Sequence, residues 1–187
     1  EVKACSRLGW LYYEGKGVER DAKKAVELFK RACEGGEAEA CYNLGILYYK
    51  GEGAEKSAAE ALKYWEKACE AGHAGACYNA AYLYDEGKGV EKNAKRAAEL
   101  YARACEKGHA GACHNLGFLY FTGEGVERDL SKAIEYWEKA CKAGHAGACY
   151  NLGVLAEKGV LKEGAPAEEY FKRACELGDR RACGKTG

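Results

Sequence analysis

The chain has 187 residues, 48% hydrophobic and 31% charged, and its 29 basic side chains are balanced by 29 acidic ones. This composition suits a folded protein in water, while zero net charge disfavours nucleic acid or an anionic membrane surface, partners that need a basic field. No apolar run approaches the roughly 18 residues of a membrane span. Glu1-Val2-Lys3-Ala4-Cys5 is not a signal peptide, so any export signal is expected to have been removed or never to have belonged to this chain.

Eleven cysteines set the period. Pairs eight positions apart occur at Cys33 and Cys41, Cys69 and Cys77, Cys105 and Cys113, Cys141 and Cys149, and Cys175 and Cys183, every 36 residues until the last step of 34. Aligned on them, the units are 1–36, 37–72, 73–108, 109–144 and 145–178, with a stub at 179–187, read together as one repeat domain over 1–187.

Each unit opens on a helix such as Ala40-Cys41-Tyr42-Asn43-Leu44-Gly45-Ile46-Leu47-Tyr48-Tyr49, where Ala40, Leu44, Leu47 and Tyr48 share one face. Gly45 is unfavourable within a helix by up to about 1 kcal/mol. Its counterparts Gly9, Ala81, Gly117 and Gly153 are all small, which predicts close approach of a neighbouring helix. A loop with two glycines follows, as in Gly51-Glu52-Gly53, its first glycine placed to end the helix in a left-handed conformation. A phosphate-cradling loop is disfavoured, because it would follow a strand and this one follows a helix.

Asp21, Ser57, Asn93 and Asp129 then stand where an N-cap is needed, each opening a second amphipathic helix such as Ala133, Tyr136, Trp137, Ala140, Cys141. Gly36, Gly72, Gly108, Gly144 and Gly178 stop that helix, and a turn of a few residues leads into the next unit. Unit five lacks two residues between Gly159 and Val160. Its second helix is expected to open around Glu163-Gly164-Ala165-Pro166, with the chain's one proline in the first turn. The stub Asp179-Arg180-Arg181-Ala182-Cys183 begins another first helix.

Antiparallel helix pairs repeating at this length predict an all-α fold, an α/α solenoid. The motif A-C-Y-N-L-G-x-L-Y-x-x-G-x-G-V-x-[RK]-[DN], followed by K-A and K-A-C-E-x-G, resembles the Sel-1-like repeat, a relative of the tetratricopeptide repeat, which implies a right-handed α/α superhelix. The 36-residue period with C-x7-C is similar to that of the Helicobacter cysteine-rich proteins, a cysteine-rich subgroup.

The hairpin leaves two pairings open, since Cys41 lies near both Cys33 and Cys69. The short turn favours the eight-residue pairs and the resemblance implies the same pairing, with about 2–3 kcal/mol per bridge in the chain-entropy model. Cys5 is then a free thiol whose partner would sit before residue 1, as in an array that once continued upstream. Structural zinc would need four converging ligands, and two thiols per site a whole repeat apart do not supply them. His73, His109 and His145 share one turn position on successive units and cannot converge, so they are read as packing or helix-start groups.

The resemblance places ligand contacts on a concave wall of first-helix residues. Carried over by the L-G landmark, the wall includes Asn43, Asn79, Asn115 and Asn151, followed one helical turn on by Trp10, Ile46, Tyr82, Phe118 and Val154, and then by Tyr13, Tyr49, Asp85, Phe121 and Glu157. His114 stands one residue before Asn115, in a row otherwise of Ser6 and the tyrosines Tyr42, Tyr78 and Tyr150. The amides would bond an extended peptide and the aromatics supply contact area; alternatively, Asn and Tyr only knit neighbouring helices. Trp10, Tyr82, Asp85, His114, Phe118 and Phe121 vary between units and are the candidates for specificity.

The functional expectation is a non-catalytic, monomeric scaffold for a protein or peptide ligand, without cofactor, metal or membrane insertion. Some members of the resembling family bind penicillin or weakly hydrolyse β-lactams, which makes that the alternative activity. None of the three serines, Ser6, Ser57 and Ser131, stands in S-x-x-K or G-x-S-x-G. The absence of Met and Gln and the regular repeats also fit a designed scaffold or a thermophilic source. Bridges imply an oxidising site, periplasmic or secreted, with the mitochondrial intermembrane space as the alternative.

Overall fold

The computed structural model describes residues 1–164 and 166–187, and among them eleven α-helices and no strand. The expectation at Ala165 lies outside the described residues. The first helices of the five repeats are α1 (Val2–Glu14), α3 (Ala38–Lys50), α5 (Ala74–Glu86), α7 (Ala110–Thr122) and α9 (Ala146–Glu157). The second helices are α2 (Ala22–Glu34), α4 (Ala58–Glu70), α6 (Ala94–Glu106), α8 (Leu130–Lys142) and α10 (Ala167–Glu176), and α11 (Arg180–Cys183) is the stub. Two compact units divide the chain, Glu1–Leu100 and Tyr101–Gly187.

In the first unit α1 packs on α2, α2 on α3, α3 on α4 and α4 on α5. Its core includes Phe29, Leu44, Trp65 and Leu83, each at most 4% exposed. In the second, α7 packs on α8, α8 on α9, α9 on α10 and α10 on α11, around Leu116, Trp137, Leu152 and Phe171. Burying each such side chain contributes roughly 1.5–3 kcal/mol before the entropy of ordering it is counted.

The predicted ends are where the chemistry put them. Asp21, Ser57, Asn93 and Asp129 each accept a hydrogen bond from the backbone N–H three residues on, at 3.0–3.1 Å. Gly51 ends α3 at φ 72°, left-handed backbone that favours glycine. Gly53 is also required: a Cβ there would meet the Ala22 carbonyl oxygen at 2.3 Å, so this loop rests on the start of α2. At the end of α4, Gly72 takes φ 95° while the N–H of His73 bonds the carbonyl of Ala68, a Schellman-type closure that turns the chain at once into α5.

Across each such turn lies a disulfide. The five pairs are Cys33–Cys41, Cys69–Cys77, Cys105–Cys113, Cys141–Cys149 and Cys175–Cys183, with Cα–Cα distances of 4.6–4.8 Å. Cys5 is the free thiol and is half-buried. The alternative Cys41–Cys69 pairing does not occur.

Unit five differs from the expectation in one detail. Pro166 occupies the N-cap of α10, just before the first turn rather than inside it. A proline has no N–H to lose in either place, but at the N-cap it supplies no side-chain acceptor, and α10 has 10 residues where the other second helices have 13.

Candidate binding groove

The first unit carries a groove whose floor is built by the small residues inside its first helices. A Cβ on Gly45 would lie 2.4 Å from Nε1 of Trp65, and one on Gly9 would lie 3.0 Å from the ring of Phe29. Glycine therefore lets an aromatic of the second helix lie directly against the first-helix backbone. The Trp65 indole also donates to the carbonyl of Tyr42 at 3.1 Å, which satisfies its only polar atom. Both rings reach past the helix and become cleft floor.

Two adjacent clefts result. One, of about 170 Å³, has Trp10, Phe29, Asn43, Ile46 and Lys50 among its walls. The other, of about 310 Å³, is lined by Ile46, Tyr49, Lys50, Trp65, Asn79 and Tyr82. Ile46 and Lys50 belong to both, so the clefts adjoin along α3.

The polar groups around them differ in how far they are already satisfied. The Tyr13 hydroxyl donates to Glu52 at 2.8 Å, and that bond raises its pKa. Arg20 lies 3.8 Å from the same carboxylate. The ammonium of Lys88 sits 4.6 Å from the Tyr82 ring centroid. Asn43 is 95% buried, yet its Nδ2 has no hydrogen-bond partner among the described residues. A buried donor without a partner is uncommon and calls for an explanation.

The sequence-derived wall residues of the first unit thus divide. Trp10, Tyr13, Asn43, Tyr49, Asn79 and Tyr82 come together around the two clefts. Asp85, half-buried on α5, lines neither. Lys50, which sequence reasoning passed over, lines both. Its signal was the variation Glu14, Lys50, Glu86, Thr122, Lys158 at one repeat position.

In the second unit Phe118 is 50% exposed, and Phe121 lies tilted on Trp137 with centroids 5.4 Å apart. Asn115 and Asn151 are half-buried. The His114 ring stacks on His145 at 4.2 Å, and its Nδ1 is buried without a partner among the described residues. Burial, with the electrostatic influence of His145 and Arg181 adding, lowers its pKa to about 4. Tyr42 stacks on His73 in the same way at 4.2 Å, and the guanidinium of Arg181 covers Tyr150. This row of the repeat joins one first helix to the start of the next.

The turn histidines are caps. Nδ1 of His73, His109 and His145 accepts from the N–H of Ala76, Ala112 and Ala148 at 3.0–3.2 Å, which leaves Nε2 as the nitrogen that carries hydrogen. Burial lowers the pKa of His109 and His145, which favours the neutral ring in those two. Glu37, at the corresponding place before α3, makes no cap bond. Of the serines, Ser6 is buried, Ser57 caps α4, and Ser131 lines a cleft of about 510 Å³ with Glu135, Glu138, Lys162 and Tyr170.

Comparison with known proteins supplies the family. The Sel1 repeat matches the sequence five times, over residues 2–37, 38–73, 74–109, 110–145 and 146–179. No curated protein matches it in sequence. Among solved structures, a protective antigen of uropathogenic Escherichia coli with an SLR fold is similar, at 27% identity and a TM-score of 0.93. The match covers all of this chain and 40% of that one, so this chain spans about two-fifths of the antigen's length. A Sel1 repeat protein from Oxalobacter formigenes is 31% identical, with a TM-score of 0.82 over 99% of this chain and 76% of its own. Helicobacter pylori cysteine rich protein B, also 31% identical, has a TM-score of 0.54 over 72% of this chain and 97% of its own. Five family matches, disulfide-closed helix hairpins and these neighbours together establish an all-α, solenoid-type repeat scaffold: the chain belongs to the Sel1 repeat family.

Proposed function

We propose that this chain is a non-catalytic scaffold that binds an extended peptide or protein segment on its first helices, chiefly in the groove of the first unit. The observation that carries this reading is the pair of adjoining clefts along α3, walled by Trp10, Tyr49, Trp65 and Tyr82 with Asn43 and Asn79 beside them. The aromatic walls fit the same role, because aromatic anchors in desolvated pockets commonly dominate interface energy. Five disulfides fit work in an oxidising compartment, extracellular or periplasmic.

A peptide-array screen with the oxidised protein tests the reading. Sequence-preferring hits are expected, weakened by Trp10→Ala and by Tyr82→Ala, which truncate cleft walls. Hits that bind both variants as well as the parent would move the site elsewhere, and an array without hits would remove the peptide-binding reading.

A further inference from the structure

The clefts of the first unit differ from ordinary apolar grooves in the charge at their junction. Lys50 projects at the place where both clefts meet, and it makes no ion pair or hydrogen bond among the described residues. Of the neighbouring charges, Glu52 accepts from Tyr13 and faces Arg20, Glu14 holds Lys16 at 2.8 Å, Lys88 lies over Tyr82, and Glu86 at the end of α5 lines neither cleft. The free charge offered to a ligand at the junction is therefore positive, with Trp10 and Phe29 on one side and Tyr49, Trp65 and Tyr82 on the other.

Resting on the peptide-binding reading, we infer that this groove selects an extended segment in which one acidic side chain stands between two apolar ones. In a strand, residues i, i+2 and i+4 point to the same side, so an apolar–x–acidic–x–apolar sequence presents all three side chains together. The apolar pair enters the two clefts, and the carboxylate accepts a charge-assisted hydrogen bond from Lys50, a stronger interaction than a neutral amide can make there. A basic central residue meets Lys50 as a like charge and is rejected. In the hairpin of α7 and α8 the corresponding place holds Thr122, whose hydroxyl already bonds the carbonyl of Phe118, so that hairpin lacks the selecting charge.

Fluorescence anisotropy with three labelled peptides on the intact oxidised chain tests the proposal. Each carries two leucines flanking a central aspartate, asparagine or lysine, with one alanine on either side of the centre. The aspartate peptide is expected to bind about tenfold tighter than the asparagine peptide, and the lysine peptide weakest. Lys50→Gln, at an exposed position, should bring the aspartate-to-asparagine ratio to about one, and added salt should narrow the parent's ratio. Equal binding of all three, or a ratio that survives Lys50→Gln, overturns the acidic selection and leaves peptide binding standing. Binding of none overturns it too, with the array screen deciding peptide binding separately.

Discussion

In the hairpin of α3 and α4, Trp65 lies against Gly45 and donates to the carbonyl of Tyr42. In the hairpin of α7 and α8, Trp137 lies against Gly117 and donates to the carbonyl of His114, both at 3.1 Å. Tyr48 stacks on Tyr64 in the one and Tyr120 on Tyr136 in the other, each pair inclined by 12°. Outward, the two part company: Ile46 becomes Phe118, Tyr49 becomes Phe121 and Lys50 becomes Thr122. Interiors this similar hold the surface positions in nearly the same local geometry. The outward substitutions therefore alter what each hairpin offers to solvent or ligand with little effect on how it packs.

The comparison can be broken most forcefully at the staples. Replacing Cys69 and Cys77, or Cys141 and Cys149, by alanine should lower unfolding free energy by about 2–3 kcal/mol in either case, measured by urea denaturation. A large inequality would mean that the two turns are not equivalent. Mass analysis after alkylation of the folded parent should find one labelled thiol, at Cys5; two or more would contradict the pairing.

A smaller loss is expected from Gly45→Ala and Gly117→Ala, about 1–3 kcal/mol each by overpacking against the indole. The Gly45→Ala loss should be partly recovered by Trp65→Phe, since a phenyl ring is smaller than an indole. Absence of any recovery would mean that the glycine answers to something other than Trp65.

Acid should separate the two hairpins. An unfolded histidine titrates near 6.5, whereas folded His114 is held to about 4. As pH falls from about 6.5 towards 4, the unfolded chain takes up a proton that the folded site refuses, so stability present above 6.5 is lost. His109 and His145, also lowered, add to the fall in the same direction. His114→Tyr, which copies Tyr42 against His73, should lose several degrees less in thermal midpoint between pH 7 and pH 4 than the parent does. Equal losses in parent and variant would count against this account. Least affected of all should be the caps, where Ser57→Ala and Asp129→Ala each lower stability by about 1 kcal/mol and by similar amounts.

Most of the scaffold could be read directly from the residues because its determinants are local. An N-cap acts three residues along the chain, a left-handed glycine acts on the turn it closes, and a 36-residue period displays both repeatedly. The cysteine pairing was less accessible, since the ends of a hairpin bring Cys41 within reach of two partners, and the resemblance to known cysteine-rich repeats was needed to choose. The groove was legible only in outline. The first-helix row containing Trp10, Asn43 and Tyr82 was visible as a pattern, but Phe29 and Trp65 enter the clefts from the second helices, about 20 residues along the chain from the glycines they cover. Lys50 was hidden for another reason: a variable charged residue at a helix end is usually solvated surface, and only the meeting of two clefts around it sets it apart. Histidine at 114 looked like a wall contact, whereas its ring stacks on the start of the next first helix.

The disulfides across the turns also bear on how the chain responds to being pulled or cut. Each bridge withholds the eight-residue loop it closes from extension, shortening the stretched chain by on the order of 23 Å apiece. Load applied at the two ends bypasses the turns and passes through sulfur from one hairpin to the next. A protease that nicked the backbone inside such a loop would release nothing, because the two fragments would stay covalently joined until a reductant arrived.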